Sequence, residues 1–215
     1  MKLIALVTMI IDHVGAVFPE AAPGWFHLMG RIAFPIYVFL ISEGARHTKS
    51  PGKYLGRLFV FGLISEIPFD LAFWGNTANF LEHTNVMFTL FFGASAIFAV
   101  RAFEDGFPGK PWLSLIYLPA AAAAAGLAGW LGTDYGWAGV LMIIGVYAAK
   151  RRYAQAAVLF TGFLHFYSWP SLFFAALSLV PVFLYNGKRG PRLKWAFYAA
   201  YPVHLAILVL IRRLI

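Results

Sequence analysis

The sequence predicts an all-α protein, a polytopic integral membrane bundle of about nine helical spans with a cytoplasmic N-terminus. Three observations predict this class. Hydrophobic residues make up 61% of the chain and charged residues only 12%, about half the charged share of a soluble domain. Long apolar runs recur from the start of the sequence to its end. Basic residues are concentrated in alternate loops, as expected of the cytoplasmic loops of a membrane protein.

The apolar segments follow one another along the whole chain. The first, near 3–18, has no small-residue cleavage site behind it, so we interpret it as a retained span and not as a signal peptide. The others lie near 28–45, 54–74, 86–102, 112–131, 136–149, 154–168, 171–186 and 195–214. The sixth to eighth are short for a bilayer, which needs about 20 residues, so we expect tilted or extended helices there. Without a visible repeat or linker, we expect residues 1–215 to form a single transmembrane helical domain.

The loops predict the orientation of the bundle. Basic residues cluster on one predicted side of the membrane, at Lys2, 46–57, Arg101, Lys110, 150–152 and 187–194. The loops 19–27, 75–85, 132–137 and 167–170 carry no Lys or Arg. Positive charge marks the cytoplasmic side, so the net charge of +8 reports topology and does not require a nucleic-acid partner. We therefore expect a multi-pass protein of the bacterial cytoplasmic (inner) membrane, in contact with membrane lipid.

Ionisable residues inside the spans are the strongest functional signal. Each costs roughly 2.5–3.5 kcal/mol on insertion scales for Asp, Lys or Arg, so a bundle that keeps many of them is expected to contain a polar cavity. The set consists of Asp12, His13, Arg31, Glu43, Arg57, Glu66 and His204, with Asn85 and Thr89 one helical turn apart. For each residue a structural interpretation, such as a hydrogen-bonded core histidine or an ion pair, competes with a catalytic one.

The spacing of these residues predicts their partners. Neighbours on a helix point about 100° apart, so Asp12 cannot clasp His13 and is expected to meet an arginine of another helix. Glu43 lies one turn before Arg46 and His47, which predicts a local pair at a helix end.

The later spans carry two prolines next to polar residues. Arg57 and Glu66 lie on opposite faces of the third span, so each needs a partner elsewhere. Pro68 is expected to kink that helix beside Glu66, and Pro202 lies between Tyr201 and His204, one turn apart.

Familiar soluble-enzyme motifs do not account for these residues. The sequence has no cysteine, no GxGxxG, no Walker sequence, no HExxH and no GxSxG. Its histidines lack metal-ligand spacing, so we expect no metal.

Five segments in order resemble the TraX family. They read "KLIALVTMIIDHVGAVF", "MGRIAFPIYVFLISEGARHT", "KYLGRLFVFGLISEIPFDLAF", "NVMFTLFFG" and "YPVHLAILVLI", and "DYGWAGVLMI" matches as well. The match covers about the first 95 residues together with that segment and the last helix, whereas 96–130 and most of 150–190 match only as apolar helix. The residues standing in these motifs are Asp12, His13, Gly30, Arg31, Pro35, Glu43, Gly44, Arg57, Glu66, Pro68, Asn85, Tyr201 and His204.

The resemblance implies a function. The namesake of the family acetylates the N-terminus of conjugative pilin, and the family is similar to membrane acyltransferases that use coenzyme A. We therefore expect a membrane-embedded acetyltransferase with acetyl-CoA as donor substrate and a pilin N-terminus or another envelope molecule as acceptor.

The resemblance and the residue chemistry together yield a mechanistic hypothesis. His13 is the expected base, acting on the acceptor or through a short-lived acetyl-histidine, because imidazole titrates near neutral pH. Asp12 orients an arginine or holds the polar cavity together. Candidate oxyanion donors are Arg31, Asn85 and Tyr201, while Glu66 and His204 complete the catalytic set. Candidate ligands of the coenzyme A phosphates are Arg46, Lys49, Lys53 and Arg57.

Two other classes of protein stay open. In a proton-coupled small-solute transporter, Asp12, Glu66 and His204 would relay protons. In a non-catalytic membrane assembly factor, substitutions at Asp12 and His13 would reduce stability and nothing else.

Overall fold

The protein is a bundle of helices, seen in a computed structural model. The model describes residues 1–76, 83–107, 109, 115, 117–188 and 194–215, except the side chain of Lys194. The helices are α1 (Lys2–Val17), α2 (Trp25–Gly30), α3 (Ala33–His47), α4 (Pro51–Phe73), α5 (Val86–Gly106), α6 (Tyr117–Trp130), α7 (Gly136–Ala148), α8 (Arg152–Phe166), α9 (Ser171–Leu177), α10 (Leu179–Phe183) and α11 (Lys194–Leu214). Across these ranges the other regular pairing is an isolated bridge between Thr84 and Thr133, so the predicted all-α class is confirmed.

The predicted segments correspond to helices, but the second and the eighth are each divided in two. The second becomes α2 and α3, and the eighth becomes α9 and α10. Both interruptions have the same physical cause. A proline ring clashes with the carbonyl four residues before it, and the helices part four residues before Pro35 and Pro181. Pro68, in contrast, lies inside α4, which runs unbroken from Pro51 to Phe73.

Among the described residues, length and hydropathy identify three stretches that could cross a membrane. They are Trp25–His47, Val86–Gly106 and Trp195–Leu214, of 23, 21 and 20 residues. Gly136–Ala148 and Ser171–Phe183 are apolar but shorter. The described helices are thus consistent with a membrane protein, while nine spans and a cytoplasmic N-terminus stay predictions.

The helices place the charges at two distinct ends of the bundle. We call the end that holds Lys2, Arg46, Lys53, Arg101 and Arg152 the basic end, and the other the opposite end. Arg31, Arg212 and Arg213 lie at the opposite end. Lys110 and residues 189–193 of the predicted basic set lie outside the described residues.

Helices α1 and α11 pack against each other in the bundle. Helix α11 packs against α4 and α1, and α1 packs against α2 and α3. On the far side, α5, α6 and α7 form a close layer of small and branched residues that includes Ala96, Ala128, Val140 and Ile144. Small side chains on α6 allow this close helix approach.

Candidate active site

Two histidines from distant parts of the chain meet where α1 packs against α11. Nδ1 of His13 on α1 lies 2.6 Å from Nε2 of His204 on α11. The two rings are stacked, with centroids 4.9 Å apart and planes inclined by 15°. The two residues are 191 positions apart in the sequence, so their contact could not be predicted from local spacing.

The hydrogen bonds define the protonation pattern of this pair. His204 Nδ1 lies 2.6 Å from the carbonyl oxygen of Ala200. A carbonyl only accepts, so Nδ1 of His204 carries the proton and Nε2 of a neutral His204 holds a lone pair. His13 must then donate its Nδ1–H to that lone pair. This leaves Nε2 of neutral His13 unprotonated, and so able to act as a base or nucleophile.

Aromatic rings enclose the histidine pair. The Phe73 ring stands edge-on to His13 at 5.2 Å, and the Tyr201 ring lies 6.0 Å from His13 and 5.6 Å from His204. Tyr201 is also close enough to Glu66 and Asp134 to interact electrostatically with both. Its ring contacts both members of the histidine pair.

Asp12 faces away from His13, as predicted, but its hydrogen-bond partner corrects the sequence interpretation. Oδ1 of Asp12 accepts from Nδ1 of His27 on α2 at 3.0 Å, so the direct partner is a histidine and not an arginine. The charge of Arg31 still acts on Asp12 without a direct contact. The close approach depends on Gly30, where an added Cβ would lie 2.2 Å from Cγ of Asp12.

Arg31 lines a polar cavity at the opposite end. The cavity has a volume of about 360 Å³. Its walls are Arg31, Asp134, Tyr135, Phe166, Tyr167, Ser168 and Ser171. The Arg31 guanidinium lies 5.4 Å from the centre of the Tyr167 ring. Its buried Nε has no hydrogen-bond partner among the described residues, so this donor is free for a ligand.

The loop between α6 and α7 shapes the same cavity. Tyr135 has a φ of 66°, in the left-handed region that side chains rarely adopt, and its ring stacks on Phe34 with centroids 3.5 Å apart. Asp134 precedes it. Loss of hydration and the nearby Asp12 raise the pKa of Asp134 to about 6, while Arg31 opposes the shift.

Glu66 and Asn85 form a second polar contact, away from that cavity. The Asn85 amide donates to Oε2 of Glu66 and to the carbonyl of Gly62, and its Oδ1 accepts from Met87 N at the start of α5. Asn85 was expected to be an oxyanion donor. These bonds use its amide group, and Asn85 acts as the N-cap of α5 instead. Oε1 of Glu66 and Oδ1 of the buried Asp70 have no hydrogen-bond partner in the described parts of the chain.

At the basic end the predicted coenzyme A ligands have different environments. Arg46 donates to the carbonyls of Val146 and Ala149 at 3.0 Å each, so it caps the C-terminus of α7. The Lys49 and Lys53 side chains are exposed. The Arg57 guanidinium lies between the rings of Tyr54 and Tyr198, at 5.7 and 5.6 Å. Three of the four predicted ligands are therefore not tied to backbone carbonyls by the hydrogen bonds found here.

The structure brings some of the predicted residues into contact and adds four residues that the sequence analysis did not indicate. His13, His204 and Tyr201 are together, Asp12 contacts His27, Arg31 lines the cavity at the opposite end, and Glu66 and Asn85 form their own contact. Sequence reasoning missed His27, Asp134, Tyr135 and Tyr167, which line or adjoin the cavity. The signal available for them was their position in loops that lack Lys and Arg.

Comparisons with known proteins cover nearly the whole chain. The family described as TraX protein matches residues 1–212. "Probable fimbrial assembly protein FimC, serogroup H1" of Dichelobacter nodosus is 32% identical over 236 residues, which cover 97% of this chain and 92% of that protein. "Protein TraX" of Escherichia coli is 28% identical over 165 residues, 74% of this chain and 59% of that protein. No solved structure matches the chain.

Proposed function

Because this chain belongs to the TraX family, we propose that it is a membrane-embedded acetyltransferase that moves an acetyl group from acetyl-CoA to an envelope acceptor such as a pilin N-terminus. The names of its relatives support a role in pilus or fimbrial assembly. The single observation that carries the chemical part is the chain of hydrogen bonds from Ala200 through His204 to His13.

That chain gives His13 the properties of a base or nucleophile. A backbone carbonyl fixes the tautomer of His204, and His204 fixes that of His13, much as a carboxylate orients the histidine of a catalytic triad. In the first route, Nε2 of His13 takes the proton of the acceptor amine or hydroxyl, the acceptor attacks the thioester carbonyl and the C–S bond breaks. In the second, Nε2 attacks first, the coenzyme A thiolate leaves and the acceptor then takes the acetyl group from the imidazole.

Either route passes through a tetrahedral intermediate with a negatively charged oxygen. Fixed donors that point at such an oxygen contribute about 10²–10³-fold in rate each. Arg31 has a buried donor without a partner, and Tyr201 lies beside both histidines. We assign the oxyanion role to these two residues and not to Asn85, whose amide is committed to Glu66 and Gly62.

In this proposal the donor and the acceptor reach the site from different ends of the bundle. We propose that the basic end faces the cytoplasm, where acetyl-CoA is available, and that Lys49, Lys53 and Arg57 attract its phosphates. The acceptor approaches from the membrane or from the opposite end.

The test uses the full-length protein purified in detergent, with labelled acetyl-CoA and a peptide that carries a free N-terminus. We expect His13→Gln to reduce acetyl transfer at least about 10²-fold, the usual contribution of general acid–base catalysis. His165→Gln is the matched control, because His165 is an exposed histidine at the opposite end that contacts Trp137. Unchanged transfer by His13→Gln would remove His13 from this role.

One observation favours a second candidate, a proton-coupled transporter. Glu66 and Asp70 lie one turn apart on α4, both buried, and each has a carboxyl oxygen without a hydrogen-bond partner among the described residues. Two such carboxyls can hold and release a proton. Solute uptake into liposomes that follows a pH gradient without any acyl donor would support the transporter, whereas binding and turnover of acetyl-CoA would support the enzyme.

A further inference from the structure

The protein contains a second histidine centre that the proposed reaction at His13 does not use. His27 on α2 is hydrogen-bonded to Asp12 at 3.0 Å, and its side chain is 44% exposed while that of Asp12 is 20% exposed. This pair lies at the opposite end, whereas His13 is enclosed by Phe73 and Tyr201. An accessible histidine oriented by a carboxylate is an arrangement that removes protons from bound molecules.

The hydrogen bond determines which nitrogen of His27 is available. An ionised carboxylate only accepts, so Asp12 holds the proton on Nδ1 of His27. Nε2 of neutral His27 then holds the lone pair. The sequence enforces this contact, because Gly30 leaves room for Asp12 that any side chain would fill.

His27 also lies next to the polar cavity. Arg31 follows His27 by four residues and has helical backbone angles, φ −61° and ψ −17°, so the two share one helix face. Arg31 lines the cavity of about 360 Å³ together with Asp134, Tyr135 and Tyr167. Arg31, which lines the cavity, therefore lies one helical turn from His27 on the same face of the helix.

Helix α1 connects the two histidine centres. Asp12 and His13 are neighbours whose side chains point about 100° apart. One therefore orients His27 toward the opposite end, and the other bonds to His204 in the core.

We propose that the Asp12–His27 pair and the Arg31 cavity form the acceptor site, with His27 as the base for the acceptor and Asp12 as its positioning residue. This inference rests on the proposed acetyl transfer and assigns His13 to the acetyl-histidine route. The acceptor N–H or O–H attacks the acetyl carbonyl held on Nε2 of His13. The new bond to the acceptor forms, the carbon–nitrogen bond to His13 breaks and the acceptor proton passes to Nε2 of His27.

The test separates the two halves of the reaction in the purified full-length protein. Exchange of labelled coenzyme A into acetyl-CoA reports the donor half, and acetylation of a peptide with a free N-terminus reports the whole reaction. We expect His27→Gln to keep the exchange within about 3-fold of wild type and to lower peptide acetylation by 10²-fold or more. We expect Asp12→Asn to lower acetylation less, because it misorients the base without removing it. His165→Gln should leave both rates unchanged.

A nucleophile that needs no base distinguishes chemistry from folding. Hydroxylamine is unprotonated and strongly nucleophilic at neutral pH, so its acetylation should continue in His27→Gln while peptide acetylation is lost. The peptide deficit should also shrink as the pH is raised, because more of the amine is then already deprotonated.

Each other outcome overturns the inference. Equal loss of hydroxylamine and peptide acetylation would assign His27 a structural or donor role, and normal peptide acetylation would show that it is not the base. If the wild-type protein neither exchanges coenzyme A nor acetylates the peptide, the proposed function itself fails. If the wild type exchanges coenzyme A and His27→Gln acetylates the peptide normally, the proposed acetyltransferase function is supported and only the role of His27 is rejected.

Discussion

The two ends of the bundle use the same residue types for different purposes. At the basic end, the buried Glu43 faces Arg46 at 3.7 Å and His47 and Arg152 at 3.8 Å each. At the opposite end, Asp12 bonds to a half-exposed His27, and Arg31 lines a cavity with an unpartnered Nε among the described residues. A carboxylate contacted by two arginines and a histidine is a closed structural contact. A carboxylate that orients an accessible histidine is open to chemistry.

The arginines show the same difference in detail. Arg46 donates to carbonyls at the C-terminus of α7, and Arg212 donates to Ala72 at the C-terminus of α4 at 2.8 Å. Such contacts neutralise the negative ends of helix dipoles and satisfy carbonyls that lack helical partners. Arg31 makes no contact of this kind with the described residues. Arg46 and Arg212 are therefore structural residues, whereas Arg31 has, among the described residues, an unpartnered donor beside the cavity.

The largest effect on stability is expected at Gly30, the last residue of α2, which packs against Asp12 of α1. In Gly30→Ala the new Cβ would lie 2.2 Å from Cγ of Asp12, so the two helices must separate, which costs about 3 kcal/mol. We expect a lower unfolding temperature in detergent and loss of acetyl transfer. The control is Gly56→Ala on α4, where a Cβ meets no described atom within 4 Å and the unfolding temperature should rise slightly. Equal behaviour of the two variants would contradict the close packing of Asp12 on α2.

The next largest effect distinguishes Arg46, which caps a helix, from Arg31, which lines the cavity. Arg46→Gln should destabilise the protein by about 2 kcal/mol, because carbonyls of α7 lose a charged donor. Arg31→Gln should cost less stability but should lower acetyl transfer at least about 10-fold. Thermal unfolding and transfer rates of both variants, measured side by side, check this. A reversed order, with Arg31→Gln the less stable and Arg46→Gln the less active, would place the reaction at the basic end.

The smallest effect is a pH dependence at Asp134. Its pKa of about 6 in the folded protein exceeds the value of about 3.9 in an unfolded chain. Between these values the folded state binds more protons, so this group makes the free energy of unfolding fall as the pH rises from about 4 to 6. We expect this change in the free energy of unfolding to stay under about 1 kcal/mol, because Asp134 is an exposed residue whose carboxyl is only partly desolvated and solvent screens the interaction. In Asp134→Asn this part of the slope should vanish, and a slope that persists unchanged would assign it to other groups.

Local patterns in the sequence carry much of the fold. Apolar runs located the helices, and spacing identified the contact of Glu43 with Arg46 and His47, which the distances confirm. Even the divided helices are explained by prolines at positions 35 and 181. The contact of Glu43 depends on residues within about one helical turn, but Pro68 and Pro202 lie inside undivided helices, so a proline alone does not determine where a helix is divided.

The candidate site was only partly predictable, because it depends on contacts between distant residues. His13 and His204 were both candidates, but their pairing depends on how α1 packs against α11. His27 and Asp134 stand in or beside loops without an apolar period, and the signal available for them was that these loops lack Lys and Arg. The assignment of Asp12 to an arginine failed for the same reason, since Gly30 brings α2 close enough for His27 to reach it first.

The most direct test of the division between the two ends uses sealed vesicles with the protein in one orientation. Acetyl-CoA is supplied only on the side of the basic end, and a peptide with a free N-terminus only on the other side. We predict acetylation of the peptide across the intact membrane, with loss of the signal in His13→Gln and retention in His165→Gln. Acetylation that occurs only when both substrates share one side would contradict the account.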